Sequence, residues 1–261
     1  MIAGPFAAGA VLLAVAFSCC TYERWWARRR PQDLAWTIAM ALFALAAAAF
    51  ALAVATGWSS WSFRVFYLLG GILTVPVLAL GTVYLLCPRR LADRLAIATA
   101  LAGAFAAGVV ATAPFKITLA AHRLNEGREV FGVGPRALAA VGSGLGAVVV
   151  IGGALWSAVL LLRRSTLRAR PLAVANLLIA LGTVLISFKR PFVELTGSDE
   201  TGFALALSVG LAVIFSGFLT ASATRRDALR QPSMGRSSRR TSLPTTPSGS
   251  RSTNSILDGH L

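Results

Sequence analysis

The sequence predicts an all-α, polytopic membrane bundle of about seven transmembrane helices, with the N-terminus outside and the C-terminus inside. Three observations predict it. The 261 residues are 56% hydrophobic and only 13% charged, where a soluble domain carries about 25% charged residues. The mean hydropathy is +0.70. The apolar residues also gather in seven stretches, each able to cross a hydrocarbon core about 30 Å thick, for which about 20 residues suffice. A soluble fold of this size could not hide so much apolar surface; a bilayer can.

The stretches run over 2–20, 34–56, 65–86, 95–113, 137–162, 172–188 and 202–223. No positive charge precedes the first, as a signal peptide would require; Arg24, Arg28, Arg29 and Arg30 follow it. It is therefore expected to stay in the membrane with its N-terminus outside. Pro31 suits the start of the second helix, where a missing N–H costs nothing. The third holds Pro76 after Gly70-Gly71-Ile72-Leu73-Thr74-Val75. A proline there removes one helical hydrogen bond and should kink the helix, so it is a candidate gate. The fourth is plainly apolar. The fifth carries Gly142-Ser143-Gly144-Leu145-Gly146 and then Gly152-Gly153, a GxxxG spacing that lets another helix come close. The sixth is the shortest and holds Asn176, an amide able to bond either a neighbouring helix or a substrate. Thr74, Pro76, Asn176 and Thr183 are the candidate intramembrane polar or gating residues. The domain 1–223 ends with the seventh stretch. The tail, 224–261, is basic and rich in Ser, Thr and Pro; it cannot bury a core and is expected to be disordered in the cytoplasm.

The net charge is +15, but its placement argues for a membrane and against nucleic acid. The segments 21–33, 87–94, 163–171 and 224–261 hold 18 of the 25 Lys and Arg, and the opposite side holds seven. That asymmetry sets the orientation by the positive-inside rule. Arg225, Arg226, Arg230, Arg239 and Arg240 are expected to lie against anionic lipid at the inner face, each attracted by roughly 1 kcal/mol. Trp25, Trp26, Trp36, Trp58 and Trp61 fall near helix ends, where interfacial anchors belong.

No span carries an ionisable group at mid-depth. Proton relays and ion paths rely on such groups, so a proton-coupled pump, a charged-ring channel and acid–base catalysis within the membrane are set aside. Cys19, Cys20 and Cys87 lack nearby His and make a poor metal site. No span holds His for haem or for a serine nucleophile's base. Neither an enzymatic activity nor a cofactor or metal is expected. The outer face is the candidate binding surface, through Trp58, Trp61, Arg64, His122, Arg128, Glu129, Lys189 and Arg190. The segment 114–136 is long enough to fold over the bundle mouth.

Seven helices with the N-terminus outside is also the rhodopsin topology, but the seventh stretch lacks the retinal-binding Lys of microbial rhodopsins. Pro31-Gln32 resembles the dipeptide of PQ-loop and SWEET sugar transporters, yet there it lies within a helix and here it starts one. Broader similarity is carried by Trp36-Thr37, by Phe63 to Gly70, by Leu80 to Leu85, by Gly127 to Gly132 and by Phe215 to Leu219. In these segments the chain resembles seven-helix integral membrane proteins of actinobacteria that have no known activity. The resemblance implies the fold and a multi-pass location in a bacterial cytoplasmic membrane. Two functions stay open. One is a non-enzymatic binding, sensing or scaffold protein, with a protein partner or a small solute. The other is a facilitator or transporter of a neutral or amphipathic solute, which would need a cavity lined by residues such as Thr74, Asn176, Thr183 and Ser208. The sequence leaves the oligomeric state open.

Overall fold

The structure, a computed structural model, describes residues 3–120, 125, 127–163, 169–188 and 190–230. Its elements are α1 (Ala3–Arg28), α2 (Pro31–Thr56), α3 (Ser60–Phe66), a π-helical segment (Tyr67–Leu73), α4 (Thr74–Leu86), α5 (Arg89–Thr112), α6 (Gly127–Val130), α7 (Val133–Arg163), α8 (Ala169–Ser187), α9 (Arg190–Thr196) and α10 (Asp199–Arg230). No strand occurs among the described residues. Seven helices are long and apolar enough to cross a membrane, with α3, the π segment and α4 joined into one span, Ser60–Leu86. The chain divides into two compact units, Met1–Thr224 and Arg225–Leu261. Of the second, only the backbone of the last helical residues, 225–230, is described. Arg239, Arg240, His122 and Lys189 lie outside the described residues, as do the side chains of Arg225, Arg226 and Arg230.

The helices outrun the apolar stretches, and the extra turns are polar. Hydropathy marks the residues at membrane depth, whereas capping chemistry sets where a helix ends. α1 continues through Tyr22, Trp25 and Trp26 to Arg28. α2 begins at Pro31, the first helical position, with Asp33 in its first turn, where the helix dipole favours a carboxylate. α3 starts with a capping box: the Ser62 backbone N–H donates to Ser59 Oγ, and the Ser59 N–H donates to Ser62 Oγ.

Small residues govern the packing. Ala7, Ala10, Ala14, Ala39 and Ala47 are buried where α1 and α2 meet their neighbours. A Cβ on Gly146 would lie 2.9 Å from the Val75 carbonyl carbon, and one on Gly182 would lie 2.5 Å from Gly210 O. These glycines therefore bring α7 onto α4 and α8 onto α10. In lipid such close contact, with interhelical hydrogen bonds, supplies the association energy that water supplies elsewhere. Several such bonds are present, among them three from small polar side chains. Asn176 Nδ2 donates to Ser157 Oγ at 2.9 Å, tying α8 to α7; Ser208 Oγ donates to Phe6 O at 2.6 Å, tying α10 to α1; Ser143 Oγ donates to Gly71 O at 2.6 Å.

The two ends of the bundle differ. At the end where α1 runs into α2, Arg24 pairs with Asp33 at 3.2 Å, and Asp33 is only 1% exposed. Arg24 also donates to Ser222 Oγ at 3.0 Å and lies over the Phe218 ring. One cation thus joins α1, α2 and α10. At the opposite end the segment after α5 folds back. The Lys116 N–H donates to Val130 O, and the buried Phe131 ring meets Phe63, Tyr67 and Phe115. α5 is the least covered span: only Ala92, Ala106 and Val110 are buried, while Leu91, Ile97, Leu101 and Phe105 are exposed.

Candidate functional site

A cavity of about 860 Å³ opens at the end that carries Asn125, Gly127 and Arg128. That is within the range of small-molecule sites, roughly 300–1,000 Å³. Five spans wall it. α2 contributes Met40, Phe43, Ala46 and Ala47. The third span contributes Phe66, Tyr67, Gly70, Gly71, Thr74, Val75 and Leu78. α7 contributes Val133 to Ala147 on one stripe, α8 contributes Thr183, Ile186 and Ser187, and α10 contributes Phe203, Leu207, Leu211 and Ile214. Between Val133 and Ala147 the helix rises about 21 Å at 1.5 Å per residue. The cavity is thus a well lined along about 21 Å of α7, a length comparable to most of a hydrocarbon core about 30 Å thick. Its floor, around Met40, Phe43, Leu78, Leu211 and Ile214, is apolar.

The π segment shapes one wall. The Thr74 N–H donates to Leu69 O, five residues back, and Thr74 Oγ1 donates to the same carbonyl at 2.7 Å. α4 follows as α-helix from Thr74. Between them the carbonyls of Gly70, Gly71 and Ile72 face a single backbone N–H, that of Val75, because Pro76 has none. Ser143 supplies a substitute donor to Gly71 O. A Cβ on Gly142 would sit 3.4 Å from both Ile72 O and Pro76 Cγ. Thus the irregularity expected at Pro76 is placed just before it, as a π segment in the wall of the well. The GxxxG of α7 packs within the bundle on that segment.

Most polar groups in the well have donated their hydrogens. Thr183 Oγ1 donates to Ile179 O and Ser187 Oγ to Thr183 O, each within α8. Asn125, buried at the rim, closes a two-way pair with the Ala120 backbone at 3.0 Å. Charge is confined to the mouth, where Arg128 and Arg136 line the cavity; no Asp or Glu does so among the described residues. Arg136 stands in the first turn of α7, where a cation opposes the helix dipole at a cost of roughly 0.3–1 kcal/mol. It forms no ion pair with a described residue.

The residues singled out from sequence separate in the structure. Thr74 and Thr183 line the well, whereas Pro76 lies behind its wall; Asn176 and Ser208 hold helices together instead. Of the outer-face set, Arg128 reaches the cavity and Glu129 follows it on α6. Trp58 is buried at 7% exposure and contacts the Phe66 ring at 5.4 Å, one ring away from the well. Trp61 projects outward at 75% exposure, and Arg190 is exposed at the start of α9. Arg64 is committed elsewhere: it donates to Val110 O and Ala113 O, capping α5, and lies 4.5 Å over the Phe115 ring. Sequence reasoning passed over Tyr67, Ser143 and Arg136 as well residues. Tyr67 could have been found as a lone hydroxyl-bearing ring beside Gly70-Gly71, and Ser143 as a donor inside a GxxxG.

Compared with protein-family models, curated proteins and solved structures, the chain finds no match.

Proposed function

We propose that the chain is a non-enzymatic binding protein of the bacterial cytoplasmic membrane, which senses or presents a ligand held in the well, with its N-terminus outside and C-terminus inside. The observation that carries this reading is the well itself: about 860 Å³, walled by five spans, and floored by apolar side chains instead of a polar exit. A site that takes a ligand and does not conduct it has that form. The orientation rests on 18 Lys and Arg on one side against seven on the other, and the compartment on the resemblance to actinobacterial membrane proteins. On that orientation the mouth faces outward and the basic tail meets the anionic inner leaflet. A second reading, a facilitator for a neutral or amphipathic solute, is favoured by the π segment in the wall. Such bulges frequently mark places where a helix changes register at a functional site.

The test is thermal unfolding of the reconstituted protein against sugars, amino acids, nucleosides, lipids and cell-wall fragments, with vesicle uptake of each hit. A ligand at 100 times its dissociation constant stabilises the fold by about 2.7 kcal/mol. Ala137 is exposed on the mouth wall, so Ala137→Trp should plug the well without disturbing the core. A hit lost in Ala137→Trp and not taken up supports binding. Uptake of the hit would transfer support to the facilitator. A hit indifferent to Ala137→Trp would remove the well as the site.

A further inference from the structure

We infer that the ligand of the well is an amphiphile with one anionic head, a carboxylate or a phosphate, and an apolar tail. The inference rests on the binding reading above and narrows it to a chemical class. The two ends of the cavity ask for different chemistry. Its depth is lined by Met40, Phe43, Leu207, Leu211 and Ile214, and its polar side chains there, Thr74 and Thr183, already donate to backbone carbonyls. A sugar or an amino acid would lose its water in that region and gain few donors in return. A hydrocarbon tail loses nothing, since the walls are as apolar as the lipid it leaves.

The mouth is opposite in character. Arg136, exposed in the first turn of α7, lines it, and no Asp or Glu does so among the described lining residues. Arg136 forms no ion pair with a described residue and stands against the dipole of its own helix. An anion between the helix start and the guanidinium would be attracted by both, and guanidinium groups suit carboxylate and phosphate oxygens. An anion of that kind, carried by a tail, matches the whole cavity: head at the rim, tail along the 133–147 stripe of α7.

The experiment places the full chain in nanodiscs of phosphatidylcholine and reads its unfolding midpoint against matched probes. The probes are dodecyl phosphate, dodecanoate, dodecanol, dodecyltrimethylammonium and inorganic phosphate. Dodecyl phosphate and dodecanoate should raise the midpoint at concentrations where the alcohol, the ammonium and inorganic phosphate do not. Arg136→Ala should weaken the anionic probes about tenfold, as losing a charged hydrogen bond does, and Arg136→Lys should restore part of the loss. Ala137→Trp should abolish the response. Adding phosphatidylglycerol names the source: competition with the probes supports a bilayer lipid as the anionic amphiphile, and no competition supports a free single-chain one. Dodecanol binding as well as the anions, unaffected by Arg136→Ala but lost in Ala137→Trp, would overturn the anionic head and leave the well as a binding site. Inorganic phosphate matching dodecyl phosphate would overturn the tail. No response to any probe would overturn the class of ligand, and a hit from a different class lost in Ala137→Trp would then show that the binding reading survives without it.

Discussion

Arg64 shows how a charged side chain at a bundle end can be structural. The last carbonyls of a helix have no intrahelical donor, and α5 ends on Val110 and Ala113 carbonyls that this guanidinium satisfies. Arg64→Ala should therefore lower stability by about 1.5–3 kcal/mol, the worth of hydrogen bonds to a charged group. Unfolding by a denaturing detergent would measure it, and an unchanged midpoint would refute the capping role. Arg24 and Asp33 make the opposite kind of case, a buried pair whose loss is lopsided. Asp33→Ala leaves Arg24 without its carboxylate and should cost about 3–5 kcal/mol, whereas replacing both by apolar residues of similar size should cost much less. A double-mutant cycle in the same unfolding assay separates the two. Neither residue advertised its role in the sequence. Arg64 resembled an outer-face ligand contact and Asp33 a loop residue, because a cap or a pair across helices depends on which helices are neighbours.

At the scale of elements, the apolar stretches announced all seven spans, since membrane depth writes itself directly into composition. Their ends were less legible, because the polar turns that complete α1, α2 and α7 carry no hydropathy signal. The irregularity near Pro76 was legible as a kink but not as a π segment. Its form depends on Ser143 and Gly142 of α7, far away in sequence. The glycines of α7 give a sharp test of that packing. Gly146→Ala would drive a methyl against the Val75–Pro76 backbone and should destabilise by about 1–3 kcal/mol. Gly144→Ala, with nothing within 4 Å of the new methyl, should be neutral or stabilise by up to about 1 kcal/mol through helix propensity. Equal effects at the two positions would show that α7 does not meet α4 through Gly146.

For the molecule as a whole, charge asymmetry supports an orientation that labelling can check. Trp61 is exposed beside the mouth, and Cys87 follows α4 at the other end. With Cys19, Cys20 and Cys87 replaced by Ser, Trp61→Cys should react with a membrane-impermeant maleimide on intact cells. Cys87 as the sole cysteine should react only after permeabilisation. The reverse pattern would invert the topology and turn the well inward. The well itself was half legible. Thr74 and Thr183 are polar residues in apolar stretches and stand out. Their convergence with Arg128 and Arg136 does not, because it requires five helices to be placed side by side. Asn176 and Ser208, equally conspicuous, were consumed by helix pairing.

The bareness of α5 has a mechanical consequence. Its C-terminal end is held by Arg64 and by buried Ala106 and Val110, while its N-terminal half touches the rest chiefly through Ala92 and the Tyr84–Asp93 hydrogen bond. In a bilayer, a helix so sparsely covered would be the one freest to tilt when thickness changes, since tilting is how a span relieves hydrophobic mismatch. Arg64, which holds its C-terminal carbonyls, stands three residues before the π segment begins. A thinner or thicker membrane would thus act as a lever on the wall of the well.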